Sequence, residues 1–373
     1  MASSAPLAPE AELAATPTAA ASRNDAAARR ALEAFAIPLG ALLVSLAVFA
    51  LFLALAGADP FGVFASLYRG GFGSAYSWQN TLALAAPLML TALCTALPAR
   101  VGLIVIGAEG ALVLSGLAAA LAGIALIDSN RIVAIAGMSL AGMAMGALWI
   151  GGIGALRHYR GVNETISSLL LNYIAVAILS YLIVGPLRDP ASLNHPSTFH
   201  IGEAHMLGSI GDTSVHYGLI FGLLACVLLW LVTRRTSFGF AAAIAGGNRR
   251  VAQLCGLPVG RLVVIVSAMG GAAAGLAGAI EVAAVHGRAN SSLNAGYGYE
   301  GILIAFIARQ HPLAIIPVAI LFGGIRAASG LMQRDHDLPA ATALVMQGIM
   351  FLVILAAESL YGRFALFRAK APT

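Results

Sequence analysis

Arg234-Arg235-Thr236-Ser237-Phe238-Gly239, then Ala241 to Ala245, then Gly246-Gly247-Asn248-Arg249-Arg250-Val251-Ala252-Gln253-Leu254-Cys255-Gly256-Leu257-Pro258, closing at Arg261, is the longest charged break in the second half of an otherwise oily chain. On either side lies a run long enough to cross a bilayer, at about 216 to 233 and about 262 to 285. The break reads as a short helix between two breakers. The Asn248 side chain can accept from the free backbone N–H groups at its start, and Gly256 followed by Leu257-Pro258 stops it within about two to three turns. Such a helix spans nothing. It carries Arg249 and Arg250 on one side and Val251, Leu254 and Cys255 on the other, so it can lie at a membrane surface and still offer a face to a soluble partner.

Composition puts the rest of the chain in the membrane. Sixty per cent of the 373 residues are hydrophobic and ten per cent are charged, with a mean hydropathy of +0.89, where a soluble domain carries about a quarter charged residues. The net charge of +5 on so apolar a chain points to basic loops rather than to nucleic acid. Nor is there the aromatic and basic interleaving of a single-strand binder. Cys94, Cys226 and Cys255 show no CxxC spacing, which indicates neither a disulfide framework nor a zinc site. The expected class is an all-α polytopic membrane protein with about ten transmembrane helices, some of them half or broken, in two inverted repeats.

Working outward from the break, residues 1–33 have the Ala, Pro, Ser and Thr composition of a disordered tail. A transmembrane domain is expected over 34–360, with the 234–261 loop inside it, and a short tail over 361–373. The spans fall at about 34–56, 79–98, 101–127, 132–156, 164–186, 216–233, 262–285, 298–308, 312–330 and 340–357. With the N-terminus inside, 15 of the 21 Lys and Arg residues fall on the cytoplasmic side and six outside, counting Arg326 as outer. That bias predicts both termini and the 234–261 loop in the cytoplasm of a bacterial inner-membrane protein.

Two stretches carry polar groups to membrane depth. The eighth span is about half the hydrocarbon thickness, so it is a half-helix or part of a re-entrant pair, and Asn294 to Gly301 becomes a candidate wall of a path. Gly298-Tyr299-Glu300-Gly301 also matches Gly107-Ala108-Glu109-Gly110 at the third span, as two inverted copies would. An intramembrane carboxylate costs about 2.5–3.5 kcal/mol at a helix centre, so Glu109 and Glu300 are candidates for the path wall; the structural alternative is that each caps a half-helix or sits near the interface. Glu281 reads as interfacial. In Asn163-Glu164-Thr165-Ile166-Ser167-Ser168-Leu169-Leu170-Leu171-Asn172-Tyr173, the polar Thr165, Ser168 and Asn172 share one helical face. That stripe suits a wet path or helix-to-helix hydrogen bonds.

Phe238-Gly239, Gly247-Asn248, Ala252 and Gly256-Leu257 at this spacing resemble the coupling loop of ABC importer permeases of the ribose, nucleoside and simple-sugar type. The Gly161 to Tyr173 run, and the region from Gly102-Leu103 to Gly107-Ala108-Glu109-Gly110, resemble their counterparts in nucleoside importer permeases. The likeness covers about 79–357. It implies that Gly247, Asn248, Arg249, Arg250, Ala252 and Gly256 dock on an ATP-binding subunit, and that Glu109, Thr165, Ser168, Asn172 and Glu300 line the substrate path. It further implies a second, similar or identical permease chain, a periplasmic or lipoprotein substrate-binding protein, and a nucleoside or simple sugar as cargo. This chain binds no cofactor on that reading, ATP being hydrolysed on the partner subunit. Val105 and Ala111 stand where the family commonly has Asn and Gln, so the ligand can differ from a typical nucleoside.

The rival is an ion-coupled secondary transporter with Glu109 and Glu300 as its ion-linked groups. It leaves the 234–261 loop without a purpose. His195, His200, His205 and His216 follow no common metal-ligand spacing, and their loop is better suited to touching a periplasmic protein.

Overall fold

The structure of the protein, a computed structural model, describes residues 39–192, 194–339 and 341–358. The tails expected at 1–33 and 361–373, and the start of the first span, lie outside the described residues. Among the described residues the architecture is all helical, with isolated bridges at Ser197–Asn290 and Ser209–His216 and no strand. In chain order the helices are α1 (Leu39–Leu55), α2 (Pro60–Phe72), α3 (Ala75–Ala99), α4 (Ala108–Ala125), α5 (Arg131–Arg160), α6 (Glu164–Val184), α7 (Gly218–Arg235), α8 (Ser237–Gly247), α9 (Arg249–Leu254), α10 (Val259–Ile280), α11 (Tyr297–Ile307), α12 (Pro312–His336) and α13 (Ala341–Glu358). Seven of these are long and apolar enough to cross a membrane: α3 to α7, α10 with the π-helical turn Glu281–His286 that continues it, and α12.

The boundaries follow from local chemistry. Asp59, Ser74, Asn130 and Asn163 each accept from backbone N–H groups at the starts of α2, α3, α5 and α6, which relieves donors that helices leave unpaired. Gly161 ends α5 at φ +67°, a left-handed turn that costs glycine least. Two elements differ from the sequence expectation. Helix α2, announced by Asp59-Pro60, stands where no helix was expected. The third span, expected over 101–127, begins only at Ala108. Residues 101–107 are not helical, because Gly102 turns left-handed at φ +74° and Val101, Ile104, Val105 and Ile106 are β-branched residues that favour extended backbone.

Helices α3, α4 and α10 form the interior, and α5, α6 and α7 are far more exposed. Since lipid tails are as apolar as the side chains, close backbone approach rather than the hydrophobic effect holds such a bundle. The glycines of α10 supply it in three directions. A Cβ at Gly270 would meet Cys94 of α3 at 2.9 Å, one at Gly278 would strike the Leu112 carbonyl of α4, and ones at Gly271 and Gly275 would strike the carbonyls of Gly146 and Gly142 on α5. The 42 glycines are therefore not merely spread along the chain. Gly142, Gly146, Gly271 and Gly275 form one two-helix contact. Replacing Gly271 with Leu is expected to cost about 1–3 kcal/mol by overpacking, while Gly152→Leu on the same α5, where a Cβ meets nothing within 4 Å, is expected to leave thermal unfolding in detergent unchanged.

Candidate functional site

The site has two parts joined by residues 100–107. At one end of the bundle, Asn248 caps α9 by accepting from the backbone N–H groups of Arg250 and Val251 at 3.0 and 3.1 Å, and Gly256 stops it at φ +72°. The helix is six residues long, preceded by the eleven-residue α8. Its faces are not divided as expected. Ala252 is the side chain it buries, while Arg249, Arg250, Val251, Leu254 and Cys255 all stand exposed, Leu254 at 82%. An alanine fits against the bundle where a larger side chain would hold the helix off. The apolar Val251 and Leu254 are left uncovered together with the arginines. Gly247 is open, with nothing within 4 Å of a Cβ there.

Helix α8 ties this end to the interior. A Cβ on Gly246 would fall on the Arg100 carbonyl, and Gly102 lies against the Gly246 carbonyl. From there residues 103–107 run alongside α6, and the polar stripe of α6 holds them. Thr165 Oγ1 donates to the Ile104 carbonyl at 3.0 Å, Ser168 Oγ accepts from the Ile106 N–H at 3.0 Å, and Asn172 Nδ2 donates to the Ile106 carbonyl at 2.8 Å while its Oδ1 accepts from the Gly110 N–H at 2.8 Å. Residues without helical partners thus have their backbone groups satisfied from the neighbouring helix, as hydrocarbon surroundings require. A single bond of this kind is worth about 1 kcal/mol, so Thr165→Val is expected to lower the unfolding temperature by only a few degrees.

The second part lies where α4 and α11 begin. Asn172 is eight residues into the 21-residue α6, about 12 Å along a helix about 31 Å long, so this level is close to mid-membrane. The Glu109 carboxylate, fully buried, accepts from the N–H groups of Gly296, at 2.8 Å, and Gly298, and so caps α11. Helix N-termini favour such an anion. Gly298 is required there because a Cβ would collide with the Glu109 backbone, and at Gly301 it would meet Thr91 at 2.8 Å. In the matching stretch Gly110 lies against the Asn172 backbone, while Gly107 meets only side chains of α5 and α6. Glu300 pairs with Arg326 of α12 at 2.6 Å, and Arg326 also donates to the Ala295 carbonyl at 2.8 Å and stacks over the Tyr297 ring at 4.3 Å.

All five side chains expected along the path are thereby brought into one connected region, and each is engaged in an internal bond. Arg326, counted from the sequence as an outer charge, is the central cation of this region. A lone arginine inside an apolar run, one helix after a buried Glu, is the signal that could have found it. Glu281, expected at the interface, is buried instead and lies 3.6 Å from His286 within the π turn. The loop between α6 and α7 is built by its histidines in part: His205 bonds to the Ile201 and Ser129 carbonyls, and His200 Nδ1 accepts from the Gly202 N–H. At the α9 end, His311 precedes α12, where burial and then the nearby Arg234 and Arg100 hold its imidazole below the ordinary value.

A bundle of membrane-length helices whose polar seam is linked by one short backbone segment to an exposed, partly apolar loop helix has the form of a transport permease. Residues 77–355 match the family described as branched-chain amino acid transport system / permease component, and the chain belongs to that family, as a permease subunit of an ABC transporter. It is 30% identical to the guanosine ABC transporter permease protein NupP of Bacillus subtilis (strain 168), over 90% of this chain and 96% of that one. The glucose ABC transporter permease protein TsgB13 of Haloferax volcanii is 28% identical over 87% of this chain and 88% of its own. The nucleoside ABC transporter permease protein NupB of Lactococcus lactis subsp. cremoris is 25% identical over 85% and 90%. Family membership implies an ATP-binding subunit as partner. The ion-coupled alternative loses its footing, since Glu109 and Glu300 are committed to backbone amides and to Arg326.

Proposed function

We propose that the chain forms part of the membrane core of an ATP-driven importer that carries a nucleoside or simple sugar across a bacterial inner membrane by alternating access, with both termini and α9 in the cytoplasm. A second permease chain, a periplasmic or lipoprotein substrate-binding protein and an ATP-binding subunit complete the assembly. ATP is bound and hydrolysed on that last subunit, and this chain holds no cofactor of its own. Cargo class is supported by the nucleoside and sugar permeases among its relatives. The observation that carries the mechanism is α9: it offers Val251, Leu254, Arg249 and Arg250 outward while Ala252 seats it on the bundle.

Nucleotide can drive such a machine only if the α9 contact differs between the two states of the ATPase. Movement of α9 would reach the seam through Gly246, Arg100 and residues 103–107. Leu254 is so exposed that Leu254→Asp is expected to leave folding intact. Truncating a central interface anchor costs about 2 kcal/mol or more, and a carboxylate placed on that apolar contact adds its own desolvation cost, so energised uptake is expected to fall about tenfold or more at unchanged thermal stability. In whole cells, vanadate is expected to stop uptake directly. Collapse with a protonophore alone, with vanadate harmless, would contradict the proposal. A ligand screen on the cognate substrate-binding protein identifies the cargo.

A further inference from the structure

Beside the bonded seam, the structure leaves one aromatic surface uncovered at mid-membrane. Tyr173 of α6 is 64% exposed and Tyr299 of α11 is 41% exposed, while Asn172 and Glu109 directly behind them are buried. Tyr173 directly follows Asn172, which holds the Gly110 N–H, and Tyr299 directly follows Gly298, whose N–H is held by Glu109, so the two tyrosines flank one bonded junction. Around the pair, Ile104, Ile166 and Leu170 are also exposed.

Lipid is a poor match for this face. Tyr173 stands nine residues into α6, about 13 Å from its start, well inside the headgroup level at which lipid-facing tyrosines are enriched. A phenol hydroxyl in hydrocarbon would lose its hydrogen bonds to water.

We infer that Tyr173 and Tyr299 form the cargo-contacting wall of the translocation path, stacking their rings against a flat, hydroxyl-bearing ring and offering it two phenol hydroxyls. This rests on the importer reading above and adds the residues that meet the cargo. The carboxylates do not meet it. Glu109 is spent on capping α11 and Glu300 on Arg326, and the accessible side chains that carry a polar group beside them are the two tyrosines. A phenol suits such a ligand because its face is apolar and its hydroxyl both donates and accepts. A nucleobase and a sugar ring share this chemistry, and transport assays with each separate them.

The test uses the complete transporter, permease chains with ATP-binding subunit and substrate-binding protein, in proteoliposomes. In a Cys255→Ser background, where Cys94 and Cys226 are buried, Tyr173→Cys and Tyr299→Cys are each exposed to a hydrophilic methanethiosulfonate. Leu228→Cys, on an exposed apolar face of α7, is the lipid-facing control. Both tyrosine positions are expected to react at least about tenfold faster than the control, and uptake of radiolabelled guanosine or glucose is expected to fall about tenfold in Tyr299→Ala, with partial retention in Tyr299→Phe. Positions 173 and 299 no more reactive than 228 in every nucleotide state would overturn the inference. So would wild-type uptake by the double variant Tyr173→Ala/Tyr299→Ala. Reactive cysteines at 173 and 299, together with a wild-type transporter that carries neither guanosine nor glucose, would leave the wet wall standing and overturn the cargo proposed above instead.

Discussion

Arg326→Met is expected to be among the most damaging single substitutions in the bundle, and adding Glu300→Gln to it is expected to restore most of the loss. Arg326 pairs with the Glu300 carboxyl at 2.6 Å, and its second nitrogen satisfies the Ala295 carbonyl next to the start of α11. Removing one partner of a buried ion pair leaves an uncompensated charge and costs about 3–5 kcal/mol, whereas replacing both partners with neutral groups costs far less. The measurement is thermal unfolding of purified protein in detergent across the double-mutant cycle. An Arg326→Met variant as stable as the wild type would mean that Glu300 is neutral in the folded protein, and that this pair does not hold α11 against α12.

Glu109 gives the second large effect. Its two oxygens take the N–H groups of Gly296 and Gly298, so Glu109→Ala orphans one buried donor, at about 1–3 kcal/mol, and one part-buried donor at less. Glu109→Gln keeps one carbonyl oxygen and turns the other position into a donor facing a donor. Its expected cost is intermediate. Hydrogen exchange at the first turn of α11 reads the result directly: amides 296 to 300 are expected to exchange faster in both variants, most in Glu109→Ala, even without cargo. If Glu109 served cargo alone, exchange would be unchanged in both variants and only uptake would fall.

The sequence shows some of this arrangement and hides the rest for identifiable reasons. Asn248 and Gly256 bracket α9 because capping and left-handed turns are local chemistry. The half-length eighth span reads correctly because length in residues converts directly to length across a bilayer. The break at 101–107 is hidden because Val101-Gly102-Leu103-Ile104-Val105-Ile106 is as hydrophobic as any span. The Gly102 turn and the β-branched residues favour the break, but the donors and acceptors that satisfy its backbone lie on α6, more than sixty residues away in the chain. A stripe of Thr165, Ser168 and Asn172 shows that one face is polar, but not whether water or backbone lies opposite. Arg326 counts as an outer charge in the sequence for the same reason: its partner is set by how α11 and α12 pack. The contact of α5 with α10 had a visible trace in Gly142-x-x-x-Gly146 and Gly271-x-x-x-Gly275, although spacing alone could not pair the two helices.

The account as a whole depends on α9 being on the ATP side of the membrane, and the native chain carries the probe. Cys255, at the end of α9, is exposed, while Cys94 and Cys226 are buried. A membrane-impermeant maleimide applied to sealed vesicles of known sidedness is expected to label the wild-type protein in inside-out vesicles only, with protection when the ATP-binding subunit is present. Labelling in right-side-out vesicles instead would place α9 outside, where no ATPase could reach it, and would contradict the account.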